Sequence, residues 1–100
     1  MFLPVKKTYK TEELIMKEFK YTVKDEIGMH ARPAGILMKT AVKYASEIQL
    51  KTGEKSANAK KMFAIMGLGI KNGSEVIVTA EGADEDVAIQ EIKSFFESNL

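Results

Sequence analysis

The chain has 100 residues, of which 45% are apolar, and its formal net charge is +1. These values predict one small globular domain and argue against nucleic-acid or membrane-surface binding, because proteins of both classes usually carry a concentrated basic excess. With no cysteine and one histidine, neither a metal site nor another cofactor is expected. The chain has no apolar stretch of transmembrane length and no secretory signal near its start, so we expect a cytoplasmic protein without stable membrane association.

Residues 1–17 have no regular apolar pattern, and we interpret them as an extension or tail in front of a domain at residues 18–100. One hypothesis is that Met16 is the natural start. Lys10-Thr11-Glu12-Glu13 can be encoded by a purine-rich stretch containing GGAGG, at a plausible spacing before the codon of Met16. An authentic extension is an alternative of comparable weight.

The first regular pattern is an alternation in which Phe19, Tyr21 and Val23 share one face, as in a half-buried strand. Gly28 ends this strand. Pro33 is tolerated in the first turn of a helix, so a helix is predicted to begin at Ala31 or Arg32. Its apolar stripe has helical spacing, and Ile36 falls outside it; the stripe consists of Ala34, Leu37, Met38, Ala41, Val42 and Ala45.

A hairpin and a short helix follow. Alternation over 47–51, a Thr52-Gly53 turn and a return strand over 55–59 predict the hairpin. Residues 61–66 are too few for a stable isolated helix, but three of them have helical spacing, so one or two turns are expected to lean on the sheet. Phe63 lies off that stripe and is predicted to point elsewhere.

The last two elements are a strand and a helix. Lys71-Asn72-Gly73 is typical of a turn, and it leads into a strand predicted over 74–81. Asp84 is the predicted N-cap of a final helix, whose apolar face is formed by Ala88, Ile92, Phe95 and Phe96. The resulting element order predicts an α+β domain with helices on one face of a four-stranded sheet.

The stretch Gly28-Met29-His30-Ala31-Arg32-Pro33-Ala34 is the candidate site, because it places the only histidine where a strand gives way to a helix. An imidazole can act as a nucleophile near neutral pH. A helix start offers N–H groups and a positive dipole end to an anion, and Arg32 adds a donor suited to phosphoryl oxygens. On spacing alone, a lone histidine is more often a structural or surface residue than a reactive one.

This heptapeptide, the later Ile65-Met66-Gly67-Leu68-Gly69-Ile70 and the closing Glu81-Gly82-Ala83-Asp84-Glu85 together resemble the HPr family, the histidine-containing phosphocarriers of the bacterial phosphoenolpyruvate-dependent sugar phosphotransferase system. The resemblance runs from about Glu18 to the last residue. It implies an open-faced β-sandwich, in which three helices cover one face of an antiparallel sheet of order 1-4-2-3. It also implies a histidine that accepts phosphate from enzyme I and passes it to sugar-specific enzyme IIA domains.

By this resemblance His30 corresponds to the phosphorylated residue, normally modified on Nδ1, and Arg32 to the arginine that assists the transfer. The resemblance describes a carrier with a phosphohistidine intermediate rather than a stand-alone enzyme, and we expect a monomer that docks transiently with its partners. Apolar residues around the histidine are predicted to form the docking surface: Met29, Met62, Phe63, Ile65 and Met66.

Two positions depart from the family pattern. Ile27 stands where relatives usually have a polar residue, so side-chain capping from that position is absent. Lys61 matches the regulatory serine of many Gram-positive relatives, and a serine kinase cannot phosphorylate it. A second hypothesis is a regulatory or binding module on the same fold, in which His30 is retained but transfer is directed to another phosphorelay or to none. An RNA-binding domain is a distant third, because exposed aromatic pairs on the strands are not evident.

Overall fold

The computed structural model describes residues 17–100, which form one four-stranded sheet and three helices. The elements occur in the predicted order, and their limits differ from the predicted ones by one or two residues, except at the end of the first helix and at the end of the first strand, which stops at Thr22 rather than continuing to Gly28. In chain order they are β1 (Lys17–Thr22), α1 (Ala31–Ala41), β2 (Glu47–Thr52), β3 (Lys55–Asn58), α2 (Met62–Met66), β4 (Glu75–Glu81) and α3 (Glu85–Asn99). None of these helices is long and apolar enough to cross a lipid bilayer.

The predicted extension lies, with one exception, outside the described residues, and so does the proposed start at Met16. The exception is Lys17, which is the first residue of β1 and pairs with Ala80 of β4. The folded domain therefore includes a residue that the sequence pattern had assigned to the tail.

The four strands form an antiparallel sheet of order β1-β4-β2-β3, which confirms the topology implied by the resemblance. β4 is an inner strand and pairs with β1 on one side and β2 on the other. β1 and β3 are the two edges of the sheet. Within residues 17–100, β1 therefore pairs only with β4, which is the last strand in sequence.

The core lies between the sheet and the helices. Because side chains alternate along a strand, each inner strand sends every second residue to the helical side. The fully buried strand residues are Ile48, Leu50, Val76, Val78 and Ala80, and the helices oppose them with Ala34, Leu37, Ala41, Ile65, Ala88, Ile92 and Phe96. Phe96 makes edge-to-face contacts with Phe19, Tyr21 and Phe95 at ring distances of 5.5–5.7 Å, which fastens α3 to β1.

The predicted stripe of the first helix is wrong at its end, because α1 stops at Ala41. Val42 and Ala45 are exposed rather than buried. The chain leaves the helix there because the following loop is held by Asp84, whose carboxylate accepts hydrogen bonds of 2.9 Å from the backbone N–H groups of Ala45 and Ser46. These bonds require a path that a continuing helix does not provide.

Asp84 does occupy the residue before α3, as predicted, but its side chain does not cap that helix. The carboxylate is directed to the loop after α1, where it also accepts a hydrogen bond from the Ser46 hydroxyl. Glu85 closes the start of α3 instead, since its Oε1 accepts the N–H of Gly82 at 3.0 Å. Gly82 itself presses on Ser46, and a Cβ at this glycine would lie 2.7 Å from the Ser46 Cα.

Candidate functional site

The loop that joins β1 to α1 contains a tight turn just before His30. Asp25 organises this turn, because its Oδ2 accepts hydrogen bonds of 3.1 Å from the backbone N–H groups of both Ile27 and Gly28. Met29 then donates its N–H to the carbonyl of Ile70 at 3.0 Å. The residues in front of His30 are therefore tied both to each other and to the segment that precedes β4.

Gly28 is required where this turn approaches its neighbour. Its φ is +81°, a left-handed conformation that residues with a side chain rarely adopt. A Cβ at this position would lie 2.6 Å from the Lys71 Cα and 2.7 Å from the Ile70 carbonyl oxygen. The absence of a side chain thus lets the two backbones meet directly behind the histidine.

His30 occupies the residue immediately before α1, with an extended backbone (φ −128°, ψ −170°) and a partly exposed side chain. Its carbonyl accepts the N–H of Ala34 at 2.9 Å, whereas its side chain does not cap the helix. No acidic residue stands in the first turn of α1, so the positive end of the helix dipole is not neutralised from within the helix. An anion carried on the imidazole would meet unpaired N–H groups at this helix start.

Arg32 lies one residue inside α1 and is exposed. No acidic side chain within residues 17–100 forms a salt bridge with it, since the two bridges found there join Lys17 to Asp86 and Lys43 to Glu91. Its guanidinium is therefore available to an oxyanion that arrives from solution. Pro33, the next residue, is buried and lacks the N–H that a first-turn residue cannot use within the helix.

The predicted docking residues separate into two groups. Phe63 is 83% exposed, and Met62 and Met66 are half-buried, so these three side chains reach the surface. Ile65 has no exposed surface and Met29 is only 8% exposed. The prediction that these last two present docking side chains is therefore wrong.

Helical geometry explains the division. On α2, Ile65 faces the sheet and packs in the core, which turns Phe63 away from it. Met62 lies against α1, where a Cβ at Gly35 would be 3.9 Å from its sulfur. Met29 is buried in the core, and its backbone N–H donates a hydrogen bond to the Ile70 carbonyl.

Lys61 stands immediately before α2 and is exposed. Its carbonyl accepts the N–H of Ile65 at 3.1 Å, while its side chain makes no capping bond. The neighbouring Lys60 is different, because its ammonium donates to the Tyr44 carbonyl at 2.7 Å. Of these two consecutive lysines, Lys61 therefore presents its charge at the surface beside Met62 and Phe63.

A second polar cluster lies at the opposite end of α1. Lys43 forms a 2.8 Å ion pair with Glu91, and the Tyr44 hydroxyl donates a short hydrogen bond to the same carboxylate. The Lys43 and Tyr44 bonds lower the pKa of Glu91, whereas the hydrogen bond to Glu91 raises the pKa of Tyr44. Because the 11 residues of α1 rise by roughly 16 Å, this cluster is remote from His30.

Nothing in residues 17–100 forms a group of three or more His, Asp or Glu side chains that could hold a metal ion. The chemistry available at the site is that of one imidazole, one guanidinium and a helix start. Sequence reasoning found all three but missed Asp25. The signal was present, because an Asp two residues before the chain bends at Ile27-Gly28 is typical of a side-chain turn.

Comparison with known proteins gives one consistent answer. The family model described as "PTS HPr component phosphorylation site" matches residues 17–98. The phosphocarrier protein HPr of Mycoplasma capricolum is 42% identical over 78 residues, which cover 78% of this chain and 88% of that protein.

Solved structures agree. One solved structure is that of a histidine-containing phosphocarrier protein of Mycoplasma. It superimposes with a TM-score of 0.80 at 39% identity, and the match covers 82% of this chain and 93% of the other. A dimer of HPr from Thermoanaerobacter tengcongensis gives a TM-score of 0.66 at 40% identity, with coverages of 82% and 94%.

Proposed function

Because the chain belongs to the HPr family of phosphocarrier proteins of the phosphotransferase system, we propose that His30 is the residue on which it carries the phosphoryl group. The observation that supports this most directly is the position of the imidazole. It is partly exposed in front of a helix whose first turn contains no acidic residue. A nucleophile in this position can be approached from solution, and the anion that it gains lies near complementary charge.

Phosphoryl transfer to and from the imidazole depends mainly on the positioning of the reacting groups. A ring nitrogen attacks phosphorus in line as the bond to the donor breaks. In the second transfer a nucleophile of the acceptor attacks the same phosphorus, and the imidazole nitrogen is the leaving group. A carrier must not bind its phosphate too firmly, because the next protein has to remove it. Partial exposure of His30 leaves one side open for that approach.

Arg32 assists by stabilising charge on the phosphoryl oxygens during both transfers. The guanidinium is exposed, unbridged within residues 17–100 and two residues from His30. A cation at a helix start gains nothing from the dipole, so the fold offers no stabilising reason for an arginine at this place. A planar donor set that matches phosphoryl oxygens supplies a functional reason.

The partners are enzyme I as donor and enzyme IIA domains as acceptors, and they dock on a surface formed by Phe63, Met62 and Met66. An exposed phenylalanine on a five-residue helix adds little to folding, and apolar groups of this kind are typical of transient interfaces. We expect the carrier to act as a monomer in the cytoplasm. Light scattering tests the oligomeric state, since a similar HPr forms a dimer.

Control by a serine kinase is lost in this chain. Lys61 stands at the regulatory position, and an ammonium there brings fixed positive charge where a seryl phosphate in relatives brings negative charge. The phosphocarrier role in the phosphotransferase system is favoured over a regulatory module of another phosphorelay by the family match and by the available imidazole.

Mass spectrometry tests the assignment of His30. After incubation with enzyme I and phosphoenolpyruvate, the intact protein is expected to gain about one phosphate, and acid is expected to remove it because phosphoramidate bonds hydrolyse readily. His30→Ala should gain none. An acid-stable adduct, or labelling that persists in the variant, contradicts the proposal.

A further inference from the structure

The turn before His30 depends on one carboxylate. Both backbone N–H groups at its apex, those of Ile27 and Gly28, donate to the same Oδ2 of Asp25 at 3.1 Å. The side chain of Ile27 cannot replace the Asp25 carboxylate as an acceptor, because isoleucine has no polar side-chain atom. This side chain is 69% exposed. The Asp25 carboxylate is therefore the side-chain acceptor for both backbone donors.

Asp25 is itself held to the body of the domain. Its backbone N–H donates to the main-chain oxygen of Leu100 at 2.8 Å, and the backbone N–H of Lys24 donates to the same oxygen at 2.6 Å. At the far end of the turn, Met29 is bonded to Ile70. The turn is thus anchored at both ends, and the Asp25 side chain fixes the path between the anchors.

The path of this turn determines the position of His30 at the start of α1. The imidazole does not cap α1, so no side-chain bond to the helix start fixes the ring. In-line transfer requires the reacting atoms in near-attack geometry, and a displacement of about 1 Å can reduce a rate by roughly a hundredfold. The geometry of the backbone at residues 25–29 therefore bears directly on the reactivity of the ring.

We propose that Asp25 is a positioning residue for phosphoryl transfer, whose carboxylate holds the turn that presents His30. This inference rests on the proposed role of His30 as phosphate carrier. Asp25 acts through the backbone of the turn, and no contact with the phosphoryl group is assigned to it.

Four variants test the proposal by the second-order rate of phosphoryl transfer from enzyme I. Asp25→Ala should slow transfer about tenfold, whereas Asp25→Asn should stay within about twofold of wild type, because both turn bonds fall on one oxygen that a carboxamide retains. The double variant Asp25→Ala with Ile27→Ser should recover part of the loss. The matched control is Asp84→Ala, which also removes an acceptor of backbone N–H groups but at the opposite end of α1.

Transfer by Asp84→Ala should stay near the wild-type rate even when its melting temperature falls as far as that of Asp25→Ala. If both aspartate variants slow transfer equally, the effect is one of general stability and the proposal is wrong. It is equally wrong if Asp25→Ala transfers as fast as wild type.

A measurement without enzyme I separates this proposal from the proposed function. Amide hydrogen exchange by NMR should be faster at Ile27 and Gly28 in Asp25→Ala, with a shifted His30 resonance, and unchanged there in Asp84→Ala. Unaltered exchange overturns the role of Asp25 whatever the phosphorylation result. Failure of the wild-type protein to accept phosphate, with the exchange result as expected, contradicts the function of His30 while leaving the role of Asp25 in the turn.

Discussion

Phe63→Ala is expected to weaken docking to enzyme I while leaving the fold nearly as stable. The side chain is 83% exposed, so about one-sixth of its surface contacts the protein. Taking about 200 Å² for a phenylalanine, that share is roughly 35 Å² and stabilises the fold by about 0.9 kcal/mol at about 25 cal/mol per Å². In a domain of this size such a loss lowers the melting temperature by roughly 4–7 °C, well below the shift that follows truncation of a core residue.

Ile65→Ala is the matched control, because it lies two residues further along the same helix and has no exposed surface. Truncation of a fully buried isoleucine costs about 2–5 kcal/mol, since a cavity is left in addition to the lost burial. The two variants should therefore be impaired in different properties. Ile65→Ala is expected to lose stability, and Phe63→Ala is expected to lose affinity.

The exposed part of Phe63 sets the size of the binding effect. It amounts to roughly 165 Å², whose complete burial contributes at most about 4 kcal/mol before the costs of association are subtracted. Aromatic residues central to an interface typically contribute about 2 kcal/mol or more, which corresponds to about thirtyfold in affinity. We therefore expect the apparent KM for the carrier in the enzyme I reaction to rise about ten- to thirtyfold.

The assay measures phosphoryl transfer from enzyme I over a range of carrier concentrations, together with urea unfolding of each variant. A rise in KM with a small change in kcat supports docking by Phe63. An unchanged KM refutes it. A stability loss above about 2 kcal/mol in Phe63→Ala refutes the reasoning from exposure, because a side chain with so little contact cannot contribute that much.

Three further predictions concern charge. Arg32→Ala should slow transfer from enzyme I and to an enzyme IIA domain with little change in melting temperature, and unchanged rates in both reactions contradict the role of the guanidinium. Lys61→Ser should gain phosphate from ATP and an HPr kinase, and then become a poorer substrate of enzyme I, whereas seryl labelling of the wild type shows that regulation has moved. Hydrogen bonds from Ser46 and Ala45 lower the pKa of Asp84 in the folded state. Its stabilising contribution is therefore present above the unfolded value of about 4 and lost as pH falls through the folded pKa, so urea unfolding should show a smaller acid-induced loss for Asp84→Asn than for wild type.

The order of the elements along the chain could be predicted because the sequence encodes it locally. Alternation at Phe19, Tyr21 and Val23 indicates a strand, and Pro33 indicates the start of the helix that the structure begins at Ala31. The open-sandwich order β1-β4-β2-β3 came from the resemblance, since periodicity does not specify which strands are neighbours. The same local signals place His30 and Arg32 at a helix start, whereas their proposed roles come from the resemblance.

Residues whose roles depend on distant partners could not be assigned from the sequence. Asp84 is a residue type that commonly caps a helix, yet its carboxylate accepts a hydrogen bond from Ser46, which lies 38 residues earlier in the chain. Val42 continues an apolar stripe, but the helix ends before it because that same loop bends toward Asp84. Ile65 and Phe63 are both apolar residues of one short helix, and only packing against the sheet determines which of them is exposed.

The contacts that hold the His30 turn also bear on how the protein folds. β1 pairs with β4, the turn is bonded to Ile70, and Lys24 and Asp25 are bonded to Leu100, so each of these partners is synthesised at least 40 residues after the turn itself. Contacts of such long sequence separation form late, because the loop between them must close first. A nascent chain still lacking β4 and α3 can therefore form the β2–β3 hairpin but has no scaffold for the histidine. Competence to accept phosphate thus arises only when the whole domain has folded, and no shorter fragment that lacks α3 should act as a partial carrier.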